Sequence, residues 1–291
     1  MIVVKLEGGL ANKMFQYALF LAIKNVRTDV YIDERSFKPR YMHEILSLRD
    51  VFNNIDFPEY VGTKYSIYTK SSIMGKLVRN VFEYFSPCYF HEKRMAFYDN
   101  LLDSLPLDCY LRGFWQSEKY FSHISDTILM NFHFKPFQDN RNLRLADELR
   151  RYNSISIHVR KGKDYMAEVD RTDGVCDVEY YNLAITYMKE HVVNPKFYIF
   201  TDNPHWVSKN IKAIDYELID WNPIVGKNNY LDLQLMSLSK HNIIANSSYS
   251  WWAAWLNSNS YKMVIAPKLW FNSKSKRDNP LDLIPESWIS L

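Results

Sequence analysis

Short apolar segments alternate along the chain with longer segments of helical spacing. Residues 2–6 are mostly apolar and β-branched, which predicts a strand, and apolar positions between residues 10 and 22 recur with the period of a helix. Residues 30–32 have the composition of a second strand. Residues 35–135 are rich in aromatic side chains without a clear period, so the pattern predicts no elements there.

The pattern is more regular after the charged segment 139–151. It predicts strands at 154–159, 196–200, 214–219, 242–245 and 262–266, with helices at 178–191, 230–240 and 247–257. Such alternation is typical of a parallel, doubly wound sheet. The strand, Gly-Gly turn and helix at the start of the chain indicate a second unit of the same kind. We therefore predict two α/β domains that face a cleft, with the first at 1–150 and the second at 151–291.

The composition is that of a globular protein, with 47% hydrophobic and 24% charged residues. The 36 Lys and Arg exceed the 33 Asp and Glu by a net charge of +3. Because these cations are scattered and not arranged in a stripe, we expect no nucleic-acid partner. A weakly basic chain is compatible with an anionic small ligand or with a peripheral contact at a membrane surface.

Cysteine usage and hydropathy bear on the compartment. Cys88, Cys109 and Cys176 form no C-x-x-C pair, which favours a reducing environment. No apolar run reaches the length of a membrane span, and the apolar start is too short for a signal peptide. We therefore expect a soluble, cytoplasmic protein.

The first candidate site is the turn between the first strand and the first helix. Gly8 and Gly9 allow a backbone to approach a ligand closely, and Asn12 can both donate and accept hydrogen bonds. In open α/β sheets, ligands bind at such turns, outside the carboxyl ends of the strands. The alternative is a tight turn that only starts the helix. The chain contains neither G-x-G-x-x-G nor a Walker A motif.

The second candidate site follows the first predicted strand of the second domain. His158 lies near the end of this strand, and beyond it Arg160, Lys161 and Lys163 place three cations in four positions beside a glycine. This pattern suits a pyrophosphate, because Arg offers a planar fork and Lys a point charge. Asp164 is placed to orient the arginine or to act as a general base. The alternatives are a solvated charged loop and, for the histidine, a semi-buried structural role.

The third candidate site is the junction between the predicted strand 242–245 and the helix after it. Asn246, Ser247 and Ser248 place an amide and two hydroxyls at a helix N-terminus, where N–H groups and the helix dipole favour an anion. A structural cap needs one of these side chains and not all of them. The sequence leaves two interpretations open here, a phosphate contact and an ordinary helix cap.

Asp202 and the metal question complete the candidate chemistry. Asp202 follows a predicted strand and is placed to cap the next helix, or to bind ribose hydroxyls or a base edge. The chain has no D-x-D motif and its eight histidines show no ligand spacing, so we expect no metal ion. Four aromatic residues, Tyr41, Phe114, Trp115 and Tyr120, are candidates for stacking on a sugar, although most aromatic residues in such a chain pack in its core.

Together these segments resemble glycosyltransferase family 11, the α-1,2-fucosyltransferases, in their bacterial type. The segment GGLANKMFQYA at 8–18 resembles the family's G-G-L-G-N-Q-M-F-Q-Y-A, and 158–165 resembles its H-x-R-R-G-D-Y. Residues 232–252 are similar to its long block D-L-x-L-M-S-x-C-K-H-x-I-x-A-N-S-S-F-S-W-W. Residues 113–121 and 285–289 also fit, so the resemblance covers essentially the whole chain.

The resemblance implies a GT-B-like fold of two Rossmann-like domains and an inverting, metal-independent transfer of L-fucose from GDP-β-L-fucose. The acceptor would be the 2-hydroxyl of a galactose that ends an oligosaccharide or a lipid-linked glycan, in surface polysaccharide or O-antigen synthesis, and no cofactor is implied. The implied donor-binding residues are His158, Arg160, Lys161, Asp202, Asn246, Ser247 and Ser248. The implied residues on the acceptor side are Gly8, Gly9 and Asn12, and the catalytic candidates are Asp164 and Arg160.

Three positions depart from the family pattern. Lys161 replaces the second arginine, Lys163 is an extra residue before Asp164, and Lys13 replaces the commoner glutamine. These departures leave two alternatives open. One is a transferase that uses another GDP-sugar, and the other is a family member that binds GDP or a sugar without catalysis.

Overall fold

The chain divides into two compact units. The computed structural model describes residues 1–35, 46–65, 88–92, 95, 97–162, 174–212, 214–272 and 280–291. Residues Met1–Phe134 form the first unit and residues Lys135–Leu291 the second. We expected the boundary at residue 150, but it lies earlier, between Phe134 and Lys135. The reason is that the charged segment near residue 145 is a helix that packs on the sheet of the second unit.

The first unit contains a sheet of four parallel strands in the order β2-β1-β4-β3. The strands are β1 (Ile2–Lys5), β2 (Val30–Asp33), β3 (Tyr89–His91) and β4 (Cys109–Arg112). The described helices are α1 (Leu10–Val26), α2 (Leu48–Val51), α3 (Leu101–Ser104) and α4 (Ser125–Asn131), with 3-10 turns at Glu118–Tyr120 and Ser122–Ile124. Because β1 and β4 are neighbours and parallel, the turns that follow them lie side by side at one edge of the sheet.

Aromatic side chains form much of the core of the first unit. The ring of Tyr17 on α1 lies 5.6 Å from Phe20 and 6.0 Å from Phe57, centroid to centroid. Trp115 and Tyr120 are both buried, and their rings meet edge to face at 6.0 Å. These two residues therefore pack in the core and offer no surface on which a sugar could stack, whereas Tyr41 lies outside the described residues.

The second unit contains a sheet of six parallel strands in the order β10-β9-β8-β5-β6-β7. The strands are β5 (Ser154–Val159), β6 (Lys196–Thr201), β7 (Tyr216–Ile219), β8 (His241–Ile243), β9 (Val264–Ala266) and β10 (Ile289–Ser290). The described helices are α5 (Asn140–Arg151), α6 (Val178–His191), α7 (Pro204–Asn210), α8 (Leu231–Ser237) and α9 (Ser248–Leu256).

Strand β5 is the topological switch point of the second sheet. From β5 the chain builds outward through β6 and β7 on one side, and later through β8, β9 and β10 on the other. In doubly wound sheets, ligands bind in the crevice outside the carboxyl ends of the two strands at this reversal. The loops that follow β5 and β8 are therefore the first place to look for a ligand site.

Two sheets of parallel strands confirm the predicted α/β fold class. The predicted strand 154–159 and helix 178–191 coincide with β5 and α6. The elements that the pattern does not predict are the strands β3, β4 and β10 and the helices α2, α3, α4, α5 and α7. The pattern does not predict helix α5 because most of its side chains are polar or charged. Only a narrow stripe, which includes Leu145, Ala146 and Leu149, is buried.

The cysteines differ in their environments. Cys109 and Cys176 are buried, whereas Cys88 is half-buried. Burial raises the pKa of each buried thiol to about 12. These two thiols are therefore protonated and unreactive near neutral pH.

The described parts of the chain include no helix with the length and hydropathy that crossing a bilayer requires. Within the same residues, no three side chains of His, Cys, Asp or Glu are grouped so that they could hold a metal ion. The expectation of a metal-free site stays a prediction.

Candidate functional site

The second and third candidate sites meet at the switch point of the second sheet. β5 and β8 are hydrogen-bonded neighbours that run in the same direction. Arg160 and Lys161 leave the carboxyl end of β5, while Ser247 and Ser248 follow β8 and begin α9. The two strands are far apart in the sequence, since the hydrogen-bonded residues Ser156 and Asn242 are separated by 86 positions. The segments that follow them nevertheless share one edge of the sheet.

Two side chains from the end of β6 hold the loop after β5. Asp202 Oδ1 accepts a hydrogen bond from the Lys161 backbone N–H at 2.7 Å, and Asn203 Nδ2 donates to the Lys161 carbonyl at 2.9 Å. Gly162 is required beside them, because a Cβ there would lie 2.6 Å from Asp202 Cγ. The loop that carries Arg160 is therefore fixed in place through its backbone and is not a freely solvated charged loop.

Asp202 does not cap the next helix. Asn203 takes that role, since its side chain accepts a hydrogen bond from the Trp206 N–H at 3.0 Å. Burial raises the pKa of Asp202, although the Lys161 N–H donor and the charge of Arg160 oppose that rise. The capping interpretation is therefore wrong, and the implied contact between Asp202 and the nucleoside stays a prediction.

The N-terminus of α9 has the character of an anion site. Ser247 occupies the N-cap position with an extended backbone, at φ −142° and ψ 124°, but its side chain makes no capping hydrogen bond. The first turn of α9 carries no acidic residue. Ser247 and Ser248 are both half-buried at the start of this nine-residue helix. Since Ser247 does not serve as an ordinary cap, its hydroxyl and the helix dipole are placed to receive an anionic group.

Two further candidate residues carry polar atoms without a partner among the described residues. Asn246 is buried, with its Nδ2 donating to the Trp270 carbonyl at 3.1 Å and its Oδ1 unpaired. His158 Nδ1 is also buried and unpaired, and its ring lies 5.8 Å from that of Tyr249. Burial lowers the pKa of His158 to about 3, and the charge of Arg160 acts in the same direction. His158 is therefore neutral at physiological pH and adds no positive charge to the site.

The expected catalytic base lies outside the described residues. The segment 163–173 contains both Asp164 and the extra Lys163, so the placement of this carboxylate stays a prediction.

Asp232 is a carboxylate of the second unit that sequence reasoning missed. It lies in the first turn of α8, and its Oδ1 accepts a hydrogen bond from Asn222 Nδ2 at 2.7 Å. Burial raises the pKa of Asp232 to about 6, against the effect of that hydrogen bond. The only signal in the sequence was its position at the start of the long block 232–252.

The Gly8-Gly9 turn lies at the carboxyl edge of the first sheet. Gly8 has a φ of +86°, and a Cβ at this position would lie 2.9 Å from Asn12 Nδ2. The Gly9 carbonyl accepts the first hydrogen bonds of α1, from the backbone N–H groups of Asn12 and Lys13. Asn12 Oδ1 accepts a hydrogen bond from Gln116 Nε2 at 2.7 Å. The turn therefore starts the helix and also orients the Asn12 amide.

Polar side chains join this turn to the turn after β4, and sequence reasoning assigned them no role. Gln16 Oε1 accepts a hydrogen bond from the Glu7 N–H at 2.9 Å, and its Nε2 donates to the Gly113 carbonyl at 2.8 Å. Arg112 donates two hydrogen bonds to the carboxylate of Glu7, both at 2.9 Å. The departure at Lys13 is buried, and its Nζ donates to the Leu46 carbonyl at 2.7 Å.

Comparisons with known proteins agree on one family. The family model described as Glycosyl transferase family 11 matches residues 1–291. An α-1,2-colitosyltransferase of Escherichia coli is 32% identical over 100% of this chain and 98% of its own. The O-antigen biosynthesis glycosyltransferase WbnK of Escherichia coli is 30% identical over 98% of this chain and 99% of its own. A crystal structure of NodZ α-1,6-fucosyltransferase soaked with GDP-fucose is 13% identical, covers 88% of this chain and 91% of its own length, and has a TM-score of 0.49.

Proposed function

Because the chain belongs to glycosyltransferase family 11 and is a glycosyltransferase, we propose that it transfers L-fucose from GDP-β-L-fucose to the 2-hydroxyl of a terminal galactose. The transfer inverts the anomeric configuration and needs neither a metal ion nor a cofactor. The residues proposed to bind the donor are His158, Arg160, Lys161, Asp202, Asn246, Ser247 and Ser248.

One observation carries this proposal. The loop of Arg160 and Lys161 and the N-terminus of α9 occupy the adjacent carboxyl ends of β5 and β8. A diphosphate bound there would meet a guanidinium, an ammonium and the positive end of a helix dipole. The hydrogen bonds that Asp202 accepts and Asn203 donates fix the loop before any ligand arrives, which lowers the entropic cost of binding.

The proposed reaction places a developing negative charge on GDP at the carboxyl edge of the second sheet. The bond between the anomeric carbon and the β-phosphate oxygen breaks, and the electron pair leaves with GDP. Fixed cations and N–H dipoles stabilise that developing charge, which is commonly the largest catalytic contribution. The acceptor oxygen forms the new bond to the anomeric carbon, and its proton passes to a base, for which Asp164 is our candidate. Gly8, Gly9 and Asn12 are proposed to face the fucose or the acceptor.

A second donor is favoured by one specific comparison. The relative that matches the whole chain at 32% identity is named an α-1,2-colitosyltransferase. Colitose is the 3-deoxy counterpart of L-fucose, so the same diphosphate clamp would serve either GDP-sugar. Only contacts with the sugar would differ, and GDP-colitose is therefore our alternative donor.

The acceptor and the cellular setting are proposed from the relatives. One of them is named an O-antigen biosynthesis glycosyltransferase, which supports a galactose-ended oligosaccharide or lipid-linked glycan as the acceptor. A cytoplasmic enzyme that meets such a glycan at the membrane surface would suit the slightly basic chain.

Calorimetric titration in the presence of EDTA tests the donor. The ligands are GDP, GDP-fucose, GDP-colitose, GDP-mannose and UDP-galactose. We expect GDP and the GDP-sugar that the enzyme uses each to bind, and we expect UDP-galactose not to bind. Arg160→Ala should weaken GDP binding about 100-fold, because a charge-assisted contact to phosphate is lost. Arg144→Ala, which removes an exposed arginine of α5, is the matched control and should leave binding unchanged.

Turnover with a galactoside then separates the alternatives. Transfer from GDP-fucose in EDTA supports the proposal, and transfer only from GDP-colitose supports the second donor. Binding of GDP without transfer from any donor would identify a non-catalytic member. A folded protein that binds no GDP compound would rule out the proposed donor site.

A further inference from the structure

Glu92 is a buried carboxylate at the carboxyl edge of the first sheet, and the proposed mechanism does not use it. It follows β3 directly and is 9% exposed. Its backbone N–H donates to the Arg112 carbonyl at 2.8 Å, which continues the pairing of β3 with β4 by one residue. Since His91 lies opposite Arg112 in the register, the side chain of Glu92 points to the other face of the sheet, beside Gly113.

Glu92 binds the backbone of the turn that follows β4. Its Oε2 accepts hydrogen bonds from the Phe114 N–H at 2.6 Å and from the Trp115 N–H at 3.0 Å. Gly113 leaves room for this contact, because a Cβ there would lie 2.4 Å from Glu92 Cβ and 2.7 Å from its Oε2. The carboxylate and the glycine are thus fitted to each other across two strands.

The turn that Glu92 holds has an unusual backbone. Trp115 has a φ of +56°, which is rare for a bulky residue and persists only when surrounding contacts enforce it. Two N–H groups bound to one carboxylate oxygen, together with a fully buried indole, supply those contacts.

The next residue links the turn to the proposed acceptor side. Gln116 is buried, and its Nε2 donates to Asn12 Oδ1 at 2.7 Å, which sets the direction of the Asn12 amide. We propose that Glu92 is a positioning residue for the acceptor sugar, which acts by holding the turn that keeps Gln116 against Asn12. This inference rests on the proposed function, in which Asn12 faces the fucose or the acceptor.

Glu92 acts through its neighbours and not on the substrate itself. Its Oε2 binds the two backbone N–H groups, and its Oε1 is buried away from solvent. Burial raises the pKa of Glu92 to about 7, against the effect of the two N–H donors. The titratable neighbours His91 and Arg112 lie on the other face of the sheet, while Lys93 and Arg94 lie outside the described residues. The carboxyl therefore changes charge near neutral pH, and its hold on the turn strengthens as it ionises.

Kinetics of Glu92→Gln test the proposal, with lactose as the galactose-ended acceptor and GDP-fucose or GDP-colitose as the donor, whichever the wild type uses. At about pH 8, where Glu92 is mostly ionised, we expect the KM for lactose to rise about tenfold, because a neutral amide binds the two N–H groups less strongly. The KM for the donor and its hydrolysis without an acceptor should not change. Gln116→Ala should reproduce this split independently. Glu217→Gln removes another glutamate whose pKa burial raises, on β7, and should change neither KM.

A pH series supplies a readout that a purely structural role would not move. The wild-type KM for lactose should rise as the pH falls through about 7, whereas in Glu92→Gln it should stay flat. An unchanged lactose KM in Glu92→Gln, or equal changes in the donor and acceptor KM, would overturn the proposal. A wild type that neither binds nor hydrolyses a GDP-sugar would refute the proposed function instead. Calorimetric binding of lactose, which needs no donor, then decides: equal affinity in both proteins, or none in the wild type, refutes the positioning role.

Discussion

The carboxyl edges of the two sheets are built in different ways. The edge of the second sheet gathers Arg160, Lys161 and a helix N-terminus around a backbone that Asp202 holds. At the edge of the first sheet, the charged groups of Glu7 and Arg112 neutralise each other, and side-chain amides join the turns. The difference indicates that the second edge is suited to a charged ligand, whereas the first is suited to neutral hydroxyl groups.

The largest expected effect tests how tightly the first edge is packed. Gly113→Ala would place a Cβ 2.4 Å from Glu92 Cβ, close to the main chain, where neither group can turn aside. We expect the free energy of unfolding to fall by more than about 3 kcal/mol. Gly226→Ala is the control, since its φ of +85° strains the backbone but no atom lies within 4 Å. It should cost about 1 kcal/mol, and equal losses in a urea titration would contradict the packing argument.

The two edges should also respond to pH in opposite directions. The pKa of Glu92 is raised from 4.5 to about 7, so the folded state holds a proton that the unfolded state has lost, and stability falls as the pH rises through this window. The pKa of His158 is lowered from 6.5 to about 3, so the unfolded state binds the extra proton, and stability falls as the pH drops below about 6.5.

Variants at these two positions separate the effects. Relative to wild type, Glu92→Gln should gain up to about 3 kcal/mol of stability as the pH rises from about 5 to about 8. His158→Gln should gain stability relative to wild type as the pH falls from about 7 to about 4. Urea unfolding across the pH range measures both. A variant whose curve runs parallel to that of the wild type would show that its titration is not coupled to folding.

Gly162→Ala asks whether the second edge depends on its fixed loop. The new Cβ would lie 2.6 Å from Asp202 Cγ and displace the carboxylate from the Lys161 N–H. We expect GDP to bind about tenfold more weakly, because the loop is no longer organised beforehand. Gly226→Ala again serves as the control and should leave GDP affinity unchanged. Unaltered GDP affinity in Gly162→Ala would separate the loop from the donor site.

The smallest effect distinguishes a structural cap from a ligand contact. Ser47 caps α2 in a capping box, so Ser47→Ala should lose about 1 kcal/mol of stability without a change in GDP affinity. Ser247 makes no capping bond, so Ser247→Ala should lose less than about 0.5 kcal/mol but bind GDP about threefold more weakly. If Ser247→Ala behaved like Ser47→Ala in both measurements, the serine would be an ordinary helix start.

The second unit is predictable from sequence because its signals are local. The apolar run of β5 spans six residues and the helical period of α6 fourteen, so each signal lies within one short segment. The cations after β5 are also close together in the sequence. The partners of those cations are not local. The sequence around Asp202 indicates a helix cap. In the fold, Asp202 instead binds the backbone of Lys161, which lies 41 residues away in the sequence.

The first unit is harder to predict for the same physical reason. β3 and β4 are three and four residues long, too short for alternation to stand out among so many aromatic residues. Glu92 has no motif around it, because the N–H groups that it binds lie 22 and 23 residues further along the chain. Only pairing of the two strands brings the carboxylate and the turn together.

The unequal burial of the cysteines provides a spectroscopic handle. The thiols of Cys109 and Cys176 are buried and stay protonated, whereas Cys88 is half-buried at the amino end of β3. This is the end of the strand opposite to Glu92. A maleimide dye should therefore react first at Cys88 in the native protein. A dye at that position would label the first unit without any engineered cysteine, at the end of the sheet away from the proposed acceptor side.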